Sequence, residues 1–152
     1  MDTPILKKAA NYCVYQERTH QEVRKKLSEW KVFGDETEEI ISWLITENYL
    51  NEERYAKAFA GGKFRVKNWG KLKINFELKA RKISAYCIKS GLAEITDVEY
   101  QEKIDFLINK KMAELELLEN QFEKSNKIFR HLTSKGFEPE LVNEGIRKKL
   151  KL

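Results

Sequence analysis

Three stretches of this chain carry the same apolar signature, and that self-similarity limits its fold more than any other feature. Arg18 to Phe33 (RTHQEVRKKLSEWKVF) aligns with Asn68 to Ile83 (NWGKLKINFELKARKI) and with Asn120 to Phe137 (NQFEKSNKIFRHLTSKGF). The matched pairs are Val23 and Leu27, Ile74 and Leu78, and Ile128 and Leu132. A spacing of four puts both members of a pair on one helical face, and an apolar or aromatic closer follows each leucine: Phe33, Ile83 and Phe137. The leucines stand 51 and 54 residues apart, room for three ordinary helices with short connections.

The flanks extend the unit. Leu6, Ala9, Ala10 and Cys13 share helical spacing before the first aligned segment, and Asp35 with Glu38 reads as a capping signal ahead of IISWLI. In the last unit Ile104, Leu107, Ile108 and Leu115 form one stripe, and Pro139 stands where a first helical turn accepts it. The expected architecture is all-α: three tandem three-helix repeats at 1–50, 51–95 and 96–152, forming an elongated, curved array. The helix formers Lys, Glu and Leu dominate while only seven Gly and two Pro punctuate the chain, which favours helix throughout. With 35% charged residues, the apolar material is spread over thin helical layers.

One segment resists. KLKINFELK alternates apolar and polar residues and, taken alone, reads as a half-buried strand. As a helix it keeps Ile74 and Leu78 on the repeated face and turns Leu72 and Phe76 to a second side, where Lys25 and Arg130 occupy the Phe76 position in the other copies. Packing against a neighbouring repeat is the simpler reading of that second stripe, and a partner-binding patch is the alternative.

Charge is sorted along the chain. Asp35 to Glu53 holds seven acidic residues and no basic one, whereas Lys63 to Lys89 carries nine cations against Glu77 alone. Glu94 to Glu123 is then mainly acidic and Lys124 to Lys151 mainly basic, within a net charge of +5. Such blocks orient a protein on a polyanion or an acidic protein surface, although a charge run can also be a solvated helix face. The middle block adds Phe64, Trp69 and Phe76, and aromatics among cations suit single-strand stacking. Candidate contacts are Lys63, Arg65, Lys67, Trp69, Lys71, Lys73, Lys79, Arg81 and Lys82, with Arg65, Lys71, Lys73 and Arg81 leading. Trp30 and Trp43 fall on apolar stripes and read as core.

No pattern points to catalysis, a cofactor or a metal. Gly61 and Gly62 read as a helix break, with no preceding strand to make them a phosphate loop. His20 and His131 have no partners at ligand spacing, and Cys13 and Cys87 read as buried thiols. With no apolar run of spanning length and no signal-like leader, a cytoplasmic protein without a membrane partner is expected; a monomer is the working expectation, with no sequence feature behind it.

The chain resembles the RecX family of regulatory proteins. The likeness rests on Arg18-Thr19, Glu22-Val23 and Lys26-Leu27, on the run Tyr49-Leu50-Asn51-Glu52-Glu53-Arg54-Tyr55-Ala56, on Phe64-Arg65, and on Gly70, Ile74 and Glu77-Leu78. The family usually has Asp where Asn51 or Glu52 stands, though Asn can still cap. The resemblance implies a modular helical protein that lies in the groove of the RecA filament on single-stranded DNA and lowers its recombinase and ATPase activities, within DNA repair, recombination and the SOS response. It implies no catalytic group and no cofactor. Rival readings are a sequence-independent single-strand binder that needs no recombinase, and a helical protein-protein adaptor.

Overall fold

The computed structural model describes residues 3–151, so Met1, Asp2 and Leu152, the outermost residues of the first and third expected repeats, lie outside the described residues. Among the described residues the regular elements are all helical: α1 (Thr3–Tyr15), α2 (His20–Glu29), α3 (Asp35–Thr46), α4 (Glu52–Arg65), α5 (Lys71–Ala80), α6 (Ala85–Leu92), α7 (Asp97–Glu114), α8 (Gln121–Ser134) and α9 (Pro139–Leu150). The strand-like KLKINFELK is therefore α5, as the repeat requires. Taken in threes, the helices form three tandem three-helix repeats.

The middle helix of each repeat ends in the same way. Val32, Ile83 and Phe137 donate their amides back to the carbonyls of Leu27, Leu78 and Leu132 at 2.9, 3.2 and 3.2 Å. The residue before each, Lys31, Lys82 or Gly136, turns through positive φ (67°, 62° and 97°). These are Schellman-type ends, which satisfy two orphan carbonyls and fold the next apolar side chain onto the leucine. Val32, Ile83 and Phe137 are all buried with the repeated pairs. The first closer is thus Val32 and not Phe33, which is 62% exposed: the left-handed turn fixes the spacing at five and leaves the sixth residue outside.

Starts are more varied. Thr19 and Glu22 form a reciprocal capping box on α2, and Thr96 and Glu99 form another on α7. Asn51 accepts the Arg54 amide at 2.9 Å, and Pro139 opens α9. The expected cap at Asp35 is corrected. Gly34 holds that place at φ 64°, Asp35 lies in the first turn, and Glu38 instead pairs with Arg24 at 3.0 Å. Gly61 and Gly62 do not break α4, because the helical ladder runs through them and Val66 donates to the Gly62 carbonyl at 2.9 Å.

The chain divides into two compact units. One takes in α1 to α3, α4 as far as Ala58, and Leu78–Gly91; the other takes Phe59–Glu77 and the residues from Leu92 onward. In the first, α1 and α2 pack on α3 around Ala9, Cys13, Val23, Leu27, Ile40 and Leu44. Each such leucine or isoleucine removed from water stabilises by about 1.5–3 kcal/mol. Trp30 and Trp43 lie half-buried against this core, and burial pushes the Cys13 thiol up to about 11, so it stays protonated. Cys87 is only half-buried. In the same unit the Arg54 guanidinium meets Glu17 at 2.6 Å, and Gly91 lets α6 approach the Ala56 backbone, where a Cβ would lie 2.7 Å from the carbonyl oxygen.

In the second unit α7, α8 and α9 pack on one another around Ile104, Ile108, Ile128, Leu132, Val142 and Ile146. Leu115 lies past the end of α7 as its C-cap and is only half-buried. Gly70 donates its amide to the Lys135 carbonyl at 2.8 Å, and Leu72 donates to Gly136 at 3.0 Å. A Cβ on Gly70 would stand 2.3 Å from the Gly136 carbonyl, and one on Gly136 would stand 2.4 Å from the Lys73 Cβ. Two glycines therefore permit backbone to lie directly on backbone at the start of α5.

Candidate nucleic-acid interface

The seat of α5 on the Lys135–Gly136 turn positions the residues of interest. α4 ends at Arg65, and the chain reverses through Asn68 at φ 60°, so that the Trp69 amide donates to the Lys63 carbonyl at 3.0 Å. Lys103 holds the bend by donating to the Asn68 side-chain oxygen at 2.7 Å. Trp69 is thereby brought back beside the last turn of α4. Its indole packs edge-on against Phe59 (6.2 Å between centroids), with the Lys63 Nζ 4.9 Å and the Lys73 Nζ 4.4 Å from its ring centre. Each ammonium over a ring contributes about 0.5–1 kcal/mol at a partly exposed site. Attraction to the indole quadrupole thus offsets part of the repulsion between the two lysines.

The start of α5 is satisfied from elsewhere in the unit. The Lys71 amide donates to the Tyr100 hydroxyl at 2.9 Å, while that hydroxyl donates to Glu138. Tyr100 lies between Phe64 and Phe137, with centroids 5.7 and 5.4 Å away. Burial, with Glu138 adding to it, raises the phenol well above its ordinary range and keeps it a donor. The Lys71 ammonium folds over the same ring at 4.8 Å. Burial likewise lowers the Lys103 ammonium, which covers Phe64 at 5.2 Å, and Glu99 opposes the shift.

The nine candidate residues do not form one cluster. Lys63, Trp69 and Lys73 meet, Lys67 is exposed on the bend, and Lys71 is drawn onto Tyr100. Arg65 is committed elsewhere: its guanidinium takes both carboxylate oxygens of Glu99 at 3.2 and 3.3 Å. The Thr96 amide and Arg65 together hold the Glu99 carboxyl below its usual range. Arg81 bonds the Tyr55 hydroxyl, and Lys79 and Lys82 are exposed in the first unit.

The aromatic expectations also divide. Phe64 is 1% exposed and belongs to the core. Leu72 and Phe76 are not packed against a neighbouring repeat, since they are 50% and 70% exposed. Lys73 and Phe76, three residues apart on α5, share a helical face, so an open aromatic and a cation stand side by side. Sequence reasoning missed Phe59, Asn68 and Lys103. An Asn at position 68, a residue type that tolerates the positive φ found there, was the one local sign of the bend. Among the described residues, no helix is long and apolar enough to cross a membrane.

A surface of cations interleaved with aromatics suits phosphate and base contacts without sequence readout. Comparison with known proteins narrows its setting. Residues 51–92 match the family model described as the second three-helix domain of RecX. A protein from Clostridium perfringens strain 13 named Regulatory protein RecX is 30% identical over 132 residues, covering 86% of this chain and 61% of that protein. One of the same name from Prosthecochloris aestuarii is 28% identical over 141 residues, covering 91% and 89%. The crystal structure of RecX from Lactobacillus salivarius superposes with a TM-score of 0.87 at 27% identity, over 97% of this chain and 95% of that one. The chain spans about half to three fifths of the length of the clostridial and lactococcal relatives, 61% and 48% in two cases.

Proposed function

Because the chain belongs to the RecX family of regulatory proteins, we propose that it binds the RecA filament on single-stranded DNA and lowers its recombinase and ATPase activities. The observation that carries the reading is the Lys63–Trp69–Lys73 group, two ammonium groups held within 5 Å of one indole beside the open Phe76. In that arrangement Trp69 is a platform that gathers cations, and Lys63 and Lys73 meet phosphates of the strand or carboxylates of RecA. Phe76, with its ring exposed, is the better placed aromatic for stacking on a base. Regulation by occupancy needs no chemistry from the chain and no cofactor, and it sets the protein in the cytoplasm with its filament.

A RecA ATPase assay on single-stranded DNA tests this directly. Titrating the protein in should lower the turnover rate, and a flat response through a molar excess would remove the proposal. The exposed Phe76 beside Lys73 also favours a second reading, single-strand binding without a recombinase. Capture of a labelled oligothymidylate at physiological salt together with a flat ATPase titration would support that reading, and a lowered ATPase rate would support the regulator.

A further inference from the structure

The side-chain charges beyond Lys124 are not part of the Lys63–Trp69–Lys73 group, yet they gather in one place. Two adjoining clefts lie where the C-terminal half of α7 meets α8, and they share Lys111 and His131. The inner one, about 150 Å³, is lined by Asn68, Lys110, Lys111, Glu114, His131 and Lys135. The outer one, about 420 Å³, adds Lys127 and Arg130. At about 30 Å³ per water, even the inner cleft holds several waters or one partly hydrated phosphate.

Five permanent cations face these clefts against the single carboxylate Glu114, which Lys111 already engages at 3.1 Å. Helix C-termini attract cations, which accounts for Lys111 and His131 in the last turns of α7 and α8. It does not account for Lys110, Lys127 and Arg130, which lie outside those turns. The excess is felt locally: burial first, then Lys111 and Lys135, with Lys110 adding and Glu114 opposing, hold the His131 imidazole below its usual value. Five cations gathered against one carboxylate favour an anion. The cleft also adjoins the α4–α5 bend, since Asn68, next to Trp69, lines it, and the Lys135 carbonyl receives the Gly70 amide.

We propose that this α7–α8 cleft is a second phosphate-binding site, which takes a phosphodiester of the same single strand that passes the Lys63–Trp69–Lys73 group. Lys110, Lys127 and Arg130 supply the charge, and Asn68 ties the site to the bend. This rests on the reading of the chain as a protein seated on single-stranded DNA. It extends that reading from one repeat to two.

The test follows the His131 imidazole by NMR across pH, without a probe, with inorganic pyrophosphate and separately with an oligothymidylate of about 12 nucleotides. A bound phosphate favours imidazolium, so the His131 midpoint should rise by about half a pH unit or more with both probes. Lys127→Gln with Arg130→Gln, on the surface of α8, should weaken oligonucleotide binding about tenfold at low salt. Its log-log salt slope should become shallower by about 0.7 for each phosphate that is no longer neutralised. A His131 midpoint that neither probe moves, or a double variant that binds as the parent does, would overturn the site. A response to pyrophosphate alone would overturn the assignment to a polynucleotide. The RecA ATPase titration is scored separately: a flat ATPase response with a shifted His131 removes the regulator and keeps the cleft, and the reverse pattern removes the cleft and keeps the regulator.

Discussion

α2 and α5 hold the same place in successive repeats and bury the same pair, Val23 with Leu27 and Ile74 with Leu78, each at most 1% exposed. They begin in opposite ways. α2 caps itself, with Thr19 and Glu22 exchanging hydrogen bonds at 3.0 Å with each other's backbone amides. α5 has no such pair, and the amides of Gly70, Lys71 and Leu72 go instead to Lys135, the Tyr100 hydroxyl and Gly136. A helix capped by its own side chains is placed by its local sequence, whereas one capped by a distant turn is placed by the third repeat. That difference fixes Trp69 and Lys73 on either side of the seat, where the first repeat has no counterpart.

The comparison breaks most sharply at the turns. Gly136→Ala would drive a Cβ into the Lys73 backbone, and we expect a loss of about 2–3 kcal/mol in urea denaturation together with a change in Trp69 fluorescence. At the equivalent turn of the first repeat the opposite sign is expected. Lys31→Gly relieves a left-handed lysine in an exposed position and should gain up to about 1 kcal/mol. Equal effects at the two turns would remove the distinction between them.

The cap partners sharpen it further. Tyr100→Phe leaves the Lys71 amide without its acceptor and Glu138 without its donor, an expected loss of about 1–3 kcal/mol. Thr19→Ala in α2 should cost about 1 kcal/mol, with no effect on the Trp69 environment. A smaller effect is expected at Gly62, exposed within α4 with open space where a Cβ would go. Gly62→Ala should raise stability by about 0.5–1 kcal/mol, read as a higher urea midpoint at unchanged slope.

The repeat was legible because it is a core pattern: four-residue spacing and a closing apolar side chain are set by helix geometry, and they held even where KLKINFELK looked like a strand. Phe33 was misplaced because the left-handed turn, which sets the closer at five residues, is not visible in side-chain hydrophobicity. Phe64 was legible and missed: it continues the Ala56 and Ala60 stripe at intervals of four, all buried. The site was legible only in part. Trp69 and its lysines stood out by composition, but the bend at Asn68 that brings Lys63 within reach depends on Lys103, 35 residues away. Arg65 looked free because its partner Glu99 lies 34 residues on, and no local pattern announces a bidentate pair at that range.

The most direct test of the account compares charge removal at matched places in the two repeats. Lys63→Gln with Lys73→Gln strips the cations from Trp69, while Lys25→Gln with Lys31→Asn removes the same charge from the first repeat's second helix and turn. Measured as the concentration that halves RecA ATPase on single-stranded DNA, the first pair should lose potency by about tenfold, equivalent to about 1.4 kcal/mol, and the second should match the parent. Equal losses from both pairs, or none from the first, would contradict a function concentrated where α5 is seated on the third repeat.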